Sequence, residues 1–350
     1  MKQKKSFKQI IGSSWGQKIT ILVIFMVVMA IFQRQFFLPS NWTSILRAIS
    51  VFGIMACGMF FVVLVGGLDL SVASMAALSA TIVTLSVVNS DYAPGSFLRG
   101  FVIAMAACVA LGLTHSFLVT RFKMPAFVVT LASKYAIYGV AMLVSKGSYI
   151  YILDDTNFLY RMGNSKLMSI PIPVIIFIGF AVLCALILNF TTFGRKLYAV
   201  GGNAMAAELV GIKSKLNTKI AFVISSIAAG IGGIILASMN TVAGTGTAAG
   251  YEGNVLMAMI VGGINLAGGE GGIIDAVYGA LLVGIINNVQ ILIGIPSDYQ
   301  DFVRGAIILA ALSLNVYTYR KVHGLIPPKI SRKKGLLANA ELKKEAEITK

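Results

Sequence analysis

The strongest constraint on this chain is the recurrence of apolar runs that are long enough to cross a lipid bilayer. The first begins at Ile19 and reads "ITILVIFMVVMAIF". A spanning helix needs about 20 predominantly apolar residues, because every backbone polar group must find its partner inside the segment. Only 12% of the residues are charged, against about 25% in average soluble chains. The sequence therefore predicts an all-α fold, a polytopic transmembrane helical bundle.

About ten spans account for these runs most economically. Their predicted ranges are 17–37, 48–66, 70–88, 100–120, 126–145, 170–190, 219–240, 253–268, 272–294 and 302–319. The ranges 70–88 and 253–268 are the weakest, and either could be a discontinuous or re-entrant element. No small-residue cleavage site follows the first run, so we predict an uncleaved first span rather than a signal peptide.

The distribution of Lys and Arg predicts that both termini are cytoplasmic. With the N-terminus inside, the inner segments hold 21 of the 29 cations and the outer segments hold six, as the positive-inside rule requires. This orientation gives a basic cytoplasmic N-terminus (1–18), a transmembrane domain (19–319) and a charged cytoplasmic tail (320–350). Because the cations lie at span ends and in tails, the net charge of +16 indicates membrane orientation and not a nucleic-acid partner.

The sequence carries no constellation that is typical of an enzyme. It has no Gly-x4-Gly-Lys-Ser/Thr motif for binding ATP, and His115 and His323 form no ligand pair with nearby acids or cysteines. Cys57, Cys108 and Cys184 lie in apolar runs, where a cysteine behaves as a small hydrophobe. We expect no catalytic residue, no metal site and no cofactor in this chain. Its energy source must then be an ion gradient or another subunit.

Two charged residues lie inside the predicted membrane domain. Asp69 is either a pathway or gating residue or the N-terminal cap of the helix that begins near Leu70. Lys134 is eight residues into its span, roughly 12 Å deep. It either lines a water-filled path, pairs with a carboxylate or backbone carbonyls, or extends its ammonium group to the interface.

The segment 262–290 mixes many small residues with polar amides. Ala280 and Gly284 are four residues apart and permit close helix packing. The amides offer hydrogen bonds either to a polar solute on a translocation path or to neighbouring helices; they are Asn265, Asn287, Asn288 and Gln290.

Four motifs together resemble the permease subunits of bacterial ribose-type sugar ABC transporters, which include ribose, xylose and galactose importers. They are "GGLDLSVASMAALSA" (66–80), "FGRKLYAVGGNAMAAELVGI" (193–212), "GYEGNVLMAMIVGGINLAGGEGG" (250–272) and "GALLVGIINNVQILIGIPSDYQDFVRGAIILAAL" (279–312). The resemblance covers about residues 40–320. It implies a multi-pass subunit of the bacterial inner membrane that forms the path for a monosaccharide or related small polar solute.

The resemblance also implies partners: an ABC ATPase subunit that binds ATP and Mg²⁺, an extracytoplasmic sugar-binding protein, and a second permease copy, identical or a paralogue. The cytoplasmic segment 194–218 would couple the permease to the ATPase. Its candidate coupling residues are Gly201, Gly202, Asn203, Ala206, Ala207, Glu208 and Gly211.

The chain departs from the family pattern at three places. The usual Asn-Pro-Glu-Ala-Ala-Arg is here Asn-Ala-Met-Ala-Ala-Glu (203–208), and the usual Tyr-Glu-Leu-Asp is Tyr-Glu-Gly-Asn (251–254). A common family arginine appears as Tyr138, with Lys134 one helical turn earlier.

The alternative function is an ion-gradient-driven secondary transporter or channel that uses Asp69 and Lys134.

Overall fold

The computed structural model describes residues 33–322 and, before them, residues 18–20, 22, 23, 26, 27, 29 and 31; side chains at 298, 311, 312 and 314–322 are not described. The predicted first span is therefore described only in part. The N-terminal residues 1–17 and the tail beyond Val322 lie outside the described residues. The chain divides into two compact units, Met1–Ile308 and Leu309–Lys350.

Helices dominate the described residues. After a short 3-10 helix (Arg34–Phe37) they are α1 (Pro39–Leu64), α2 (Val72–Val88), α3 (Ser96–Arg121), α4 (Ala126–Ser145), α5 (Phe158–Asn164), α6 (Ile172–Phe190), α7 (Thr192–Gly202), α8 (Ala204–Leu209), α9 (Ser214–Asn240), α10 (Tyr251–Val261), α11 (Ile273–Leu292) and α12 (Ser297–Val322). Four two-residue strands lie between them: β1 (Ile150–Tyr151), β2 (Lys166–Leu167), β3 (Ile170–Pro171) and β4 (Val242–Ala243). Strand β1 pairs antiparallel with β4, and β2 with β3.

Six helices in the described part of the chain are long and apolar enough to cross a membrane, namely α1, α3, α4, α6, α9 and α11. Helices α2 and α10 are apolar but shorter. The prediction of an all-α membrane protein is confirmed. The count of about ten spans and the location of the termini stay predictions.

Helices α1, α2 and α9 form the centre of the first unit. In the most apolar window of each helix, 83% of α1 and 72% of α9 are buried, against 28% or less of α3, α4 and α6. The outer helices thus present apolar side chains outward, as expected where the surrounding solvent is lipid.

Small residues let the central helices approach closely. A Cβ on Gly233 of α9 would lie 2.0 Å from the Ala76 carbonyl oxygen of α2, and one on Gly58 of α1 would lie 2.2 Å from Ala228 Cβ of α9. A Cβ on Gly284 would lie 2.3 Å from Ile49 Cγ1, and Ala280 is fully buried. The predicted close packing at Ala280 and Gly284 is confirmed.

The loops of this unit gather at two ends. One end, here called the α8 end, holds α7, α8, the C-terminus of α1 and the loop 262–272, which bonds to Leu64 through Gly269. The opposite end, the strand end, holds the β1–β4 pair and the loop before α3, where Tyr92 accepts a hydrogen bond from the Leu153 amide.

Helix α10 is shorter than predicted. It ends at Val261, seven residues before the end of the predicted range 253–268. Glycines with positive φ follow it, at Gly263, Gly268, Gly269 and Gly271, and they break the helix because the left-handed region costs glycine little. Since Glu252 in its first turn meets Lys134 in the middle of α4, α10 begins inside the bundle. That the range 253–268 is a discontinuous or re-entrant element of the membrane stays a prediction.

Candidate functional site

The polar interruption at 194–218 folds into two short helices with well-defined caps. Thr191 caps α7 by accepting a hydrogen bond from the Gly194 amide at 3.2 Å, and Asn203 caps α8 by accepting one from the Ala206 amide at 3.0 Å. Gly211 follows α8 with φ +83°. The chain therefore turns at Asn203, because its short side chain accepts a hydrogen bond from a free amide in the first turn of the next helix.

Helix α8 presents an apolar surface that the described residues leave uncovered. Met205, Leu209 and Val210 are 77%, 85% and 76% exposed. Ala206 and Glu208 are also exposed, whereas Ala207 is buried against the unit. A groove of about 540 Å³ lies beside α8 and is lined by Glu208, Gly211, Lys213, Lys215 and Lys219, among others. An apolar ridge beside a basic groove is the kind of surface that a partner protein covers.

The end of α7 packs closely against the C-terminus of α1 and against the loop 262–272. A Cβ on Gly201 would lie 1.8 Å from the Leu64 carbonyl oxygen and 2.6 Å from the Gly269 nitrogen, whereas one on Gly202 would meet nothing within 4 Å. The Tyr198 hydroxyl donates to the Gly271 carbonyl at 2.7 Å. Burial, followed by the charge of Asp275, raises the pKa of Tyr198. This hydroxyl therefore stays protonated and able to donate.

These contacts reveal a partner of the segment 194–218 that sequence reasoning missed. The loop 262–272 holds α7 through Gly269 and Gly271, and it connects α10 to α11. The high density of glycines in "GGINLAGGEGG" was the available signal, since close backbone approach is one of the few needs that only glycine meets.

Lys18 also lies at the α8 end. The Lys18 ammonium forms an ion pair with Asp275 in the first turn of α11, and the Tyr278 hydroxyl donates to the Lys18 carbonyl at 2.6 Å. The start of the predicted first span and the segment 194–218 therefore lie at one end, as the predicted topology requires.

Asp69 is fully buried, and hydrogen-bond donors surround it. Its Oδ1 accepts from the Ser71 amide at 3.0 Å and from the Ser71 hydroxyl at 2.5 Å, and its Oδ2 accepts from the Ser225 hydroxyl of α9 at 2.8 Å. Both carboxylate oxygens are therefore occupied within the fold. The N-cap of α2 is Ser71, two residues after Asp69, so Asp69 bonds to the N-cap residue and does not itself cap the helix. The gating alternative stays a prediction.

Lys134 meets a carboxylate, which was one of its three predicted alternatives. Its Nζ lies 2.5 Å from Glu252 Oε1, and the two side chains are 21% and 18% exposed. The pair joins the middle of α4 to the first turn of α10. The sequence singled out Lys134 by its depth but gave no sign of Glu252, because the partners are 118 residues apart.

The structure does not bring the predicted path amides to one place. Asn287 donates to Asn254 Oδ1 at 3.2 Å, which ties α11 to α10. Asn288 exchanges two hydrogen bonds with Asn41 of α1, at 2.7 and 3.0 Å. Asn265 lies in the loop at the α8 end, where it accepts from the Ala267 amide at 3.0 Å.

Comparison with known proteins shows that the chain is similar to transport permeases. The profile of the family described as "Branched-chain amino acid transport system / permease component" matches residues 41–312. The chain is 35% identical over 316 residues to the L-arabinose transport system permease protein of Escherichia coli K12, covering 90% of this chain and 94% of that one. It is 33% identical over 295 residues to the ribose import permease protein of Bacillus subtilis 168, covering 84% and 90%. No solved structure matches significantly.

Proposed function

Because the chain belongs to this family of transport permease components, we propose that it is the membrane-spanning subunit of an ABC importer for a monosaccharide or a related small polar solute. The relatives that are named as arabinose and ribose permeases support this solute class. The chain would form the path, and a separate ATPase subunit would bind ATP and Mg²⁺ and hydrolyse the ATP.

The exposed apolar face of α8 is the observation that carries the proposal. Met205, Leu209 and Val210 project from a short helix whose neighbour, α7, is packed tightly on the unit through Gly201 and Tyr198. Because α8 is exposed and α7 is packed against the rest of the unit, a partner protein that binds α8 could transmit its movement to the spans through α7. ATP-driven closure of two ATPase subunits would displace α7 and α8 and move the spans as rigid bodies between outward-open and inward-open states.

The remaining partners follow from the same proposal. An extracytoplasmic sugar-binding protein would deliver the solute at the strand end, where the loop 146–169 carries exposed Tyr149, Tyr151 and Leu153. A second permease copy, identical or a paralogue, would complete the path within the bacterial inner membrane. Lys134 and Asn287 also have partners within the fold, but they remain path candidates because Asn287 Oδ1 and the second oxygen of Glu252, the partner of Lys134, have no partner among the described residues. The polar atoms of Asp69, Asn265 and Asn288 bond within the fold.

Co-purification from the native membrane tests the ATPase assignment. We expect the tagged chain, solubilised gently, to recover an ABC ATPase in stoichiometric amount by mass spectrometry. Leu209→Asp places a charge in the apolar face, and Glu208→Lys inverts the charge next to it. Each should lower ATPase recovery at least tenfold, because burying an unpaired charge in an interface is costly.

Leu153→Asp is the matched control. Leu153 is 84% exposed, against 85% for Leu209, and lies at the strand end. This variant should recover the ATPase as the unaltered chain does. A chain that purifies alone and catalyses gradient-driven flux in liposomes would contradict the proposal and favour a secondary transporter.

A further inference from the structure

Seven buried side-chain polar atoms have no hydrogen-bond partner in the described part of the chain; three belong to Thr84 and His115, and the other four lie on α10, α11 and α12. Glu252 Oε2, Asn287 Oδ1, Gln290 Oε1 and Arg304 Nε all lack a partner there. Buried polar groups are normally satisfied, so such a concentration demands a specific explanation.

These atoms belong to the first turn of α10 or to side chains near it. Glu252 lies in that turn, Asn287 bonds to Asn254 two residues further along the same turn, and Gln290 follows Asn287 by about one turn of α11. A Cβ on Gly253 would lie 3.5 Å from Arg304 Cδ. Gln290 is only 4% exposed. The unsatisfied atoms therefore come from three helices, α10, α11 and α12, that meet where α10 begins.

The start of α10, where these unpaired atoms lie, is inside the membrane domain. Lys134 pairs with Glu252 eight residues from the start of α4 and eleven from its end, or roughly 12 and 16 Å along a helix. A discontinuous helix that starts at such a depth is the element from which transporters commonly build their solute sites.

The chemistry of the unsatisfied atoms selects the ligand class. Three of them are acceptors and one, Arg304 Nε, is a donor. The local charges balance, since Lys134 faces Glu252 and Arg304 faces Asp301. An anion would meet the free carboxylate oxygen, and a cation would meet Lys134 and Arg304. A neutral solute with several hydroxyl groups supplies both donors and acceptors without adding charge.

We propose that the first turn of α10, with Glu252, Asn287 and Arg304, binds the transported solute through its hydroxyl groups within the membrane. The proposal rests on the function proposed above and adds the site within the chain. Lys134 positions Glu252 by holding Oε1, which leaves Oε2 for the solute.

Paired substitution separates solute binding from the structural role of the ion pair. The complex, expressed with its ATPase and binding protein, is assayed in cells for uptake of radiolabelled L-arabinose, D-ribose and a panel of neutral hexoses and polyols. Lys134→Met and Glu252→Leu each leave one buried charge unpaired, so each alone should lower the amount of folded complex. The double variant K134M/E252L removes both charges and should restore it.

The double variant should nevertheless take up solute at least tenfold more slowly per assembled complex, because the carboxylate oxygens are gone. Asp91→Asn, which alters an exposed carboxylate in the loop before α3 and outside the loop 146–169, should transport normally. Asn287→Leu should also lower uptake at least tenfold and serves if the double variant does not assemble. Normal uptake by either assembled variant would overturn the proposal. A wild-type complex that recovers its ATPase yet imports none of the panel would overturn this solute class and leave the permease assignment standing.

Discussion

At the scale of single residues, the two buried charges of the membrane domain have opposite surroundings. Asp69 is fully buried, and both of its oxygens accept hydrogen bonds from Ser71 and Ser225. Glu252 keeps one oxygen without a partner among the described residues and is paired with a cation. A carboxylate whose oxygens all accept hydrogen bonds within the protein stabilises the fold. A carboxylate oxygen without a partner is available to a ligand. Asp69 is therefore the weaker of the two candidates for the solute path.

We expect Asp69→Asn to destabilise the chain without lowering transport per folded molecule. The amide nitrogen that replaces one oxygen cannot accept the hydrogen bond that this oxygen accepted, at a cost of about 1–3 kcal/mol. The change in stability is measured by thermal unfolding in detergent, monitored through the loss of the monodisperse fraction. Asp155→Asn is the control. Unchanged stability together with lost uptake would instead support the gating alternative for Asp69.

At the scale of elements, the sequence predicts most helices well, because span hydrophobicity is a local property. Helix α4 matches its predicted range 126–145, and α11 differs by two residues or fewer at either end. Helix α1 begins at Pro39, nine residues before the predicted 48, since its polar first turns carry no apolar signal. What joins distant segments could not be predicted: the Lys134–Glu252 pair and the contact of Gly201 with Leu64 depend on tertiary proximity alone.

The neighbouring glycines at the end of α7 give a matched test of how that element is anchored. Gly201→Ala should dislodge α7, because its Cβ would meet backbone atoms of Leu64 and Gly269 that cannot move aside independently. Gly202→Ala should be tolerated, since its Cβ meets nothing within 4 Å. Uptake and ATPase recovery are measured for both, with at least a tenfold loss of uptake expected for Gly201→Ala alone. Equal behaviour of the two variants would show that the α7 contact does not transmit motion.

At the scale of the whole molecule, the two loop ends must face opposite sides of the membrane if the proposed function is correct. The α8 end carries five cations across 195–219 and the ion pair of Lys18 with Asp275. The strand end carries the aromatic loop 146–169 and the β1–β4 pair. The ATPase works in the cytoplasm and the binding protein outside it, so the α8 end must be cytoplasmic. The excess of cations there is the charge bias that orients membrane proteins during insertion.

Cysteine labelling tests this orientation directly, because the native chain supplies little background. Cys57, Cys108 and Cys184 are at most 2% exposed, and a buried thiol is inert towards polar reagents. Leu153→Cys and Leu209→Cys each add a thiol at a position that is more than four-fifths exposed, one at each end. In intact spheroplasts of cells that express the chain without its ATPase, so that no partner covers α8, a membrane-impermeant maleimide should label Leu153→Cys and spare Leu209→Cys, and inside-out vesicles should reverse the pattern. Labelling of both positions from one side would place the two ends together and contradict the assignment of α8 to a cytoplasmic ATPase.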